Sequence, residues 1–264
     1  MHAIDLGTAI LHYRDEGPRD GPALVFSNSL GTDFRVWDAL LPHLPAGWRI
    51  IRYDKRGHGL SSLPEGPWSI ADHAADLAGL MDALRVRGAV ICGLSVGGLI
   101  AQRIAVSRPE LARALVLCDT AARIGSDEMW STRVATVREG GIEAIHDANM
   151  ARWFTEAFRA DPARLQPWSA MLTRTPVEGY VRTAEAIRAC DLTEETRGLR
   201  LPCLAVAGEA DGSTPPDLVR ATADLIEGAR FEVIEGAGHI PCVEAPERLG
   251  ALMTAFLESL PEAP

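Results

Sequence analysis

The chain has 264 residues, 47% of them hydrophobic, and a formal charge of −10 from 26 basic and 36 acidic side chains. That length and apolar content supply a core for one large domain, or one carrying an insertion, and exclude global disorder. There is no basic stripe for nucleic acid and no run of about 18 apolar residues to span a membrane. The start, MHAIDLG, lacks the basic and apolar regions of a secretory signal, so a cytoplasmic protein without nucleic-acid or membrane partners is expected.

Short apolar runs recur along the chain. Strands are expected at residues 10–13, 23–27 (ALVFS), 49–53 (RIIRY), 89–93 (AVICG), 114–118 (ALVLC), 203–207 (CLAVA) and 231–234 (FEVI). Near-continuous apolar runs imply burial on both faces, hence a mostly parallel sheet between helix layers. Helices are expected at 70–85, at 96–106, and at 246–260 with Pro246 in the first turn, where a missing N–H costs little. This alternation is the α/β pattern.

Residues 122–200 read differently: Trp130, Trp153 and Trp168, many Arg and Glu, and no strong strand. Their 11 Arg against 12 acidic residues give −1, leaving −9 for the rest. The expected organisation is a core of residues 1–121 and 201–264 with residues 122–200 inserted as a helical cap. The five cysteines (Cys92, Cys118, Cys190, Cys203 and Cys242) are odd in number and lack metal spacing. They read as small hydrophobes in a reducing compartment.

Chemistry begins at Gly93-Leu94-Ser95-Val96-Gly97, a G-x-S-x-G sequence between a predicted strand and a predicted helix. Small residues at both ends allow a sharp turn that pushes Ser95 out above the sheet, over free N–H groups at the helix start. A serine hydroxyl is a weak nucleophile, so it needs a base, and the base needs an orienting group. His239, in the glycine-rich EGAGHIP loop after FEVI, is the expected base, whereas His58 in the DKRGHG turn reads as structural. Asp211, in the GEADGSTP loop after CLAVA, is the expected acid, with Glu209 the alternative. Two backbone N–H groups should stabilise a developing oxyanion: Val96, just after the nucleophile, and Leu30, in the loop after ALVFS.

These pieces together resemble the α/β-hydrolases, and closely the 3-oxoadipate enol-lactonases of aromatic catabolism. The resemblance rests on FSNSLGTDFRVWD (26–38), RYDKRGHGLS (52–61), GLSVGG (93–98), VREGGIEAI (137–145) leading to Arg152-Trp153-Phe154, and GAGHIPCVEAPE (236–247), and so spans nearly the whole chain. GLSVGG and RGHG are shared widely. Asn28-Ser29 is narrower, because many relatives carry His-Gly there and the lactonases resemble this chain in having Asn-Ser.

The resemblance implies opening of an enol-lactone to 3-oxoadipate through an acyl-enzyme, with no metal or organic cofactor. A small anionic lactone needs a local cation on a protein of charge −10. Arg133, three residues after Trp130 on one helical face, is the expected partner of its carboxylate, with Trp130 and Trp153 as apolar walls. Alternatives on the same triad are another carboxylic-ester hydrolase, a perhydrolase or a carbon–carbon bond hydrolase. A further one is a non-catalytic ligand-binding protein of the same fold. Dehalogenases and epoxide hydrolases are similar but use an Asp nucleophile, against which Ser95 argues.

Overall fold

The computed structural model describes residues 1–261. Its strands are β1 (His2–Asp5), β2 (Ile10–Glu16), β3 (Ala23–Ser27), β4 (Arg49–Tyr53), β5 (Ala89–Leu94), β6 (Ala112–Cys118), β7 (Cys203–Gly208) and β8 (Arg230–Ile234). They form one sheet in the order β1-β2-β4-β3-β5-β6-β7-β8. Strand β2 runs antiparallel to both its neighbours, and every later pair is parallel. Helices α1 (Ile70–Ala83) and α2 (Val96–Ser107) follow β4 and β5. Between β6 and β7 lie α3 (Asp127–Gly140), α4 (His146–Trp153), α5 (Glu156–Arg159), α6 (Pro162–Thr173), α7 (Val177–Arg188) and α8 (Thr193–Arg197). The chain continues with α9 (Pro216–Ala223), α10 (Pro241–Glu244) and α11 (Pro246–Glu258).

All seven expected strands are present. Burial explains why they were legible: β3, β5 and β7 are buried at every position. Alternate side chains point to opposite faces, so such a strand is covered on both and reads as an unbroken apolar run. Fully burying each Val, Leu or Ile there contributes about 1.5–3 kcal/mol.

Two expectations are corrected at the sheet edges. Strand β1 lies outside the expected set and has no apolar run, because HAID pairs only with β2 and leaves three of its four residues exposed. Strand β8, expected to be buried on both faces, exposes Arg230, Glu232 and Val233, because it is the opposite edge. Edge strands tolerate charge, which also discourages pairing with another chain.

Helix α1 starts at a capping box, in which Ser69 Oγ accepts from Asp72 N and the Asp72 carboxylate accepts from Ser69 N. It ends two residues before the expected 85, because Arg85 turns left-handed (φ +55°) and Val86 N reaches back to Met81 O at 2.8 Å. The long segment between β6 and β7 is helical, as its composition implied. One apolar core runs from Leu24, Ile91 and Leu115 in the sheet to Trp130, Val137, Tyr180 and Val181 in α3 and α7. No helix among the described residues is long and apolar enough to cross a membrane.

Candidate active site

Ser95 joins β5 to α2 with φ +56° and ψ −117°. That conformation costs an L-residue on the order of 1–3 kcal/mol and persists only where the surroundings enforce it. Here they do. Ser95 N donates to Cys118 O at 3.0 Å, and Thr120 Oγ1 donates to Ser95 O at 2.6 Å. A Cβ on Gly93 would lie 2.2 Å from Gly97 O, and one on Gly97 would lie 1.9 Å from Ser27 O. Both glycines are therefore required by close backbone approach, and the turn between them presents the Ser95 side chain to a cavity.

His239 lines the same cavity. Its loop reaches this place because β7 allows contact: a Cβ on Gly208 would sit 2.0 Å from Gly238 O. The His239 Nδ1–H donates to Asp211 Oδ2 at 2.9 Å. Asp211 Oδ1 accepts from Ser213 N at 2.7 Å and Thr214 N at 3.1 Å, and Oδ2 also accepts from Thr214 Oγ1 at 2.7 Å. Burial opposes the Asp211 charge most strongly, yet the His239, Thr214 and Ser213 interactions together outweigh it and hold the carboxyl below its usual range. Glu209 is exposed and accepts from Gly236 N at 2.9 Å, so the alternative acid braces the loop and does not meet His239.

With Nδ1 committed to Asp211, Nε2 is left to accept a proton. Among the described residues the ring bonds Asp211 and, at 3.4 Å, Thr214, and no serine. A serine–histidine bond of this kind is often long until substrate is bound.

Leu30 and Val96 flank Ser95, and neither backbone N–H has an acceptor among the described residues. Val96 is free because it opens α2. Leu30 belongs to a loop braced from behind. Lys55 Nζ donates to Ser29 O at 2.5 Å and to Thr32 O at 3.3 Å, Gly31 N donates to His58 Nε2 at 3.1 Å, and Asn28 Nδ2 donates to Thr32 O at 2.7 Å. Burial pushes the Lys55 ammonium down to about 7, with Asp54 and Asp33 opposing the shift, and the same burial drives His58 well below its ordinary value. The role of Lys55 is nearly silent in the sequence. Its signal was being the single lysine, set inside an otherwise turn-forming motif.

Helices α3, α4 and α7 wall the cavity with Trp130, Arg133, Arg152, Trp153 and Tyr180. Trp130 and Trp153 do two things at once, since each is buried in the shared core and each lines the cavity. The Arg133 guanidinium lies over the Trp130 ring, 4.9 Å from its centroid. Neither Arg133 nor Arg152 has a carboxylate partner among the described residues, whereas Arg138, Arg182 and Arg188 nearby are all paired. Burial and the neighbouring Arg133 charge lower the Arg152 pKa. Two unpaired cations facing one space make it a place for an anion. In the sequence Arg152 belongs only to the Arg152-Trp153-Phe154 stretch, and nothing local marks it as facing the cavity.

The cavity is narrow, and its empty space together with the open mouth amounts to about 480 Å³. A more open depression lies at the amino ends of β7 and β8, lined by Cys203, Glu227 and Arg230, and shares none of these residues.

The alpha/beta hydrolase fold family matches residues 22–246. The chain is 35% identical over 249 residues to 3-oxoadipate enol-lactonase 2 of Acinetobacter baylyi, covering 94% of this chain and 93% of that one. The crystal structure of the enol-lactonase from Burkholderia xenovorans LB400 superposes with a TM-score of 0.94 at 37% identity, over 98% of this chain and 100% of that one. A thermophilic esterase from Thermogutta terrifontis, solved with malate bound, superposes with a TM-score of 0.91 at 30% identity over 98% of each. By fold, sheet order and sequence, this chain is a hydrolase that belongs to the α/β-hydrolase fold family and, within it, to the 3-oxoadipate enol-lactonases.

Proposed function

We propose that the chain opens 3-oxoadipate enol-lactone to 3-oxoadipate by serine catalysis, with residues 122–200 serving as the cap over the reaction. One observation carries this reading. The imidazole anchored to Asp211 shares a cavity with the strained Ser95, and Arg133 and Arg152, without carboxylate partners among the described residues, line that same cavity.

In this reading His239 Nε2 takes the Ser95 proton as Oγ attacks the lactone carbonyl. The negative oxygen is held by the Leu30 and Val96 N–H groups, whose lack of other acceptors among the described residues is what such a role requires. Collapse of the intermediate breaks the ring C–O bond, and the enol oxygen leaves with the proton from His239. The enol then tautomerises to the ketone. Water, deprotonated by His239, attacks the acyl carbon, and Ser95 departs with the proton returned. Asp211 stays ionised throughout and stabilises the imidazolium. No step calls on a metal or organic cofactor. The substrate carboxylate sits between Arg133 and Arg152, which supplies the local attraction that an overall charge of −10 denies it. Four buried thiols and one half-buried thiol, all unpaired, fit a reducing cytoplasm.

Loss of enol-lactone absorbance in the ultraviolet tests the reading on wild type and Ser95→Ala. Wild type is expected to turn over rapidly, and Ser95→Ala to lose about 10⁶ in kcat while still binding the lactone. Retained turnover in Ser95→Ala overturns the nucleophile. An inert wild type that still cleaves a neutral ester keeps the triad and overturns the substrate.

A further inference from the structure

Asp119 directly follows β6 at the same edge of the sheet as Ser95 and Asp211, and the chemistry above does not use it. Its N donates to Val206 O at 2.8 Å, its φ is +46°, and its side chain is completely buried. Oδ1 accepts from Gly208 N at 2.7 Å, whereas Oδ2 has no partner among the described residues. One polar side-chain atom from each of Asp119, Asp211 and His239 lies within 4.8 Å of the others.

Two buried carboxyls this close do not both ionise. Asp211 receives two N–H groups, a hydroxyl and the imidazole, and Asp119 receives one N–H. The charge therefore belongs on Asp211 and the proton on Asp119, whose vacant Oδ2 is where that proton resides. We propose that Asp119 is a positioning residue, a protonated carboxyl whose Oδ2–H donates to the Asp211 carboxylate and holds it toward His239.

This role rests on the proposed Ser95–His239–Asp211 reading. Burial first, then the Asp211 charge, push the Asp119 carboxyl well above the usual range, in agreement with the geometry. Besides Asp211 and His239, the titratable groups facing it are the thiols of Cys118, the residue before it, and of Cys242 in α10. The left-handed backbone makes Asp119 tolerable at a strand end, since Asp and Asn reach that region more readily than other non-glycine residues.

The test uses infrared spectroscopy of the whole chain at about pH 8, where ordinary carboxyls are ionised. Wild type and Ser95→Ala should both show a protonated-carboxyl C=O band that Asp119→Asn lacks. This readout is independent of turnover, so it separates failure of this inference from failure of the catalytic reading. Asn keeps both a donor toward Asp211 and an acceptor for Gly208 N. Asp119→Asn should therefore hold kcat within about threefold of wild type and leave the acid limb of the kcat/KM pH profile in place. Asp119→Ala should lower kcat about tenfold with KM unchanged, as expected for loss of a bond to a charged group. Absence of the band overturns the inference. So does an acid limb that drops by about a unit in Asp119→Asn, because removing a real negative charge beside His239 would do that. If Asp119→Ala does not fold, the spectrum and the Asn variant still decide.

Discussion

Asp211 and Glu209 stand two residues apart in one acidic loop, and their fates differ completely. Asp211 is buried against the imidazole with three further donors, whereas Glu209 is exposed on Gly236 N. Asp211→Asn should therefore lower kcat by about 10⁴, by disfavouring the tautomer with Nε2 free, and Glu209→Gln should stay within about twofold. Kinetics on the pair check this, and the reverse ranking would reassign the acid. Arg133 and Arg152 present the other residue-level contrast. Arg133→Leu and Arg152→Leu should each raise KM for the anionic lactone about tenfold or more, the scale of a charge-assisted bond, and leave a neutral ester nearly unchanged. Equal effects on both substrates would remove the carboxylate role. Arg133 could be nominated from its spacing to Trp130. Arg152 could not, because which arginine lacks a counter-charge depends on how α3, α4 and α7 pack, and that is not written in local sequence.

The elements that matter most are the turn between β5 and α2 and the loop after β3. The turn is legible because its glycines answer to backbone collisions that no other residue avoids. The loop is less so, since the feature proposed for it is an N–H that every residue except proline possesses. What makes it distinctive is the buried Lys55 behind it. Folding lowers the Lys55 pKa from 10.5 to about 7. Between those values the unfolded chain binds a proton that the folded chain has released, so stability rises with pH across that window. Below about 7 both states are charged and the full cost of burying the ammonium is felt. Wild type should thus gain stability from about pH 7 toward 10, by at most about 1.4 kcal/mol per unit, relative to Lys55→Met. Denaturation midpoints at several pH values read the difference, and parallel curves would refute it. Lys55→Met should also slow turnover, through loosening of the loop that carries Leu30 N–H.

At the scale of the molecule, the helical segment between β6 and β7 is joined to the sheet in several places. A Cβ on Gly179 of α7 would lie 2.0 Å from Gly57 O in the RGHG turn, so the two backbones touch. That turn is itself anchored, with Arg56 held by Asp76 of α1 through two bonds of 2.6 Å. On the other side Glu244 of α10 accepts from Gly238 N at 2.9 Å and from Thr155 N at 3.1 Å, tying the His239 loop to the segment between α4 and α5. Gly179→Ala should wedge α7 away from the sheet. An overpacking cost of about 1–3 kcal/mol corresponds to a fall in Tm of roughly 3–10 °C for a chain of this size. KM should rise as Tyr180 is displaced from the cavity wall. A calorimetric scan with unchanged Tm would show that the contact is not structural.

The amino-acid sequence by itself determined seven of the eight strands, the glycine-flanked turn that carries Ser95, the chain order of Ser95, Asp211 and His239, and the helical character of residues 122–200. Each of these follows from local chemistry: apolar runs mark strands buried on both faces, glycines mark backbone collisions, and loops after strands carry the polar groups. Only the tertiary structure decided which acid meets His239, that Lys55 and His58 brace the loop bearing Leu30, that Arg133 and Arg152 are left without carboxylate partners among the described residues, and that Asp119 lies against Asp211. All four depend on residues far apart in the chain arriving within a few ångströms. Proximity of that kind is fixed by how the helices close over the sheet, and no short stretch of sequence carries it.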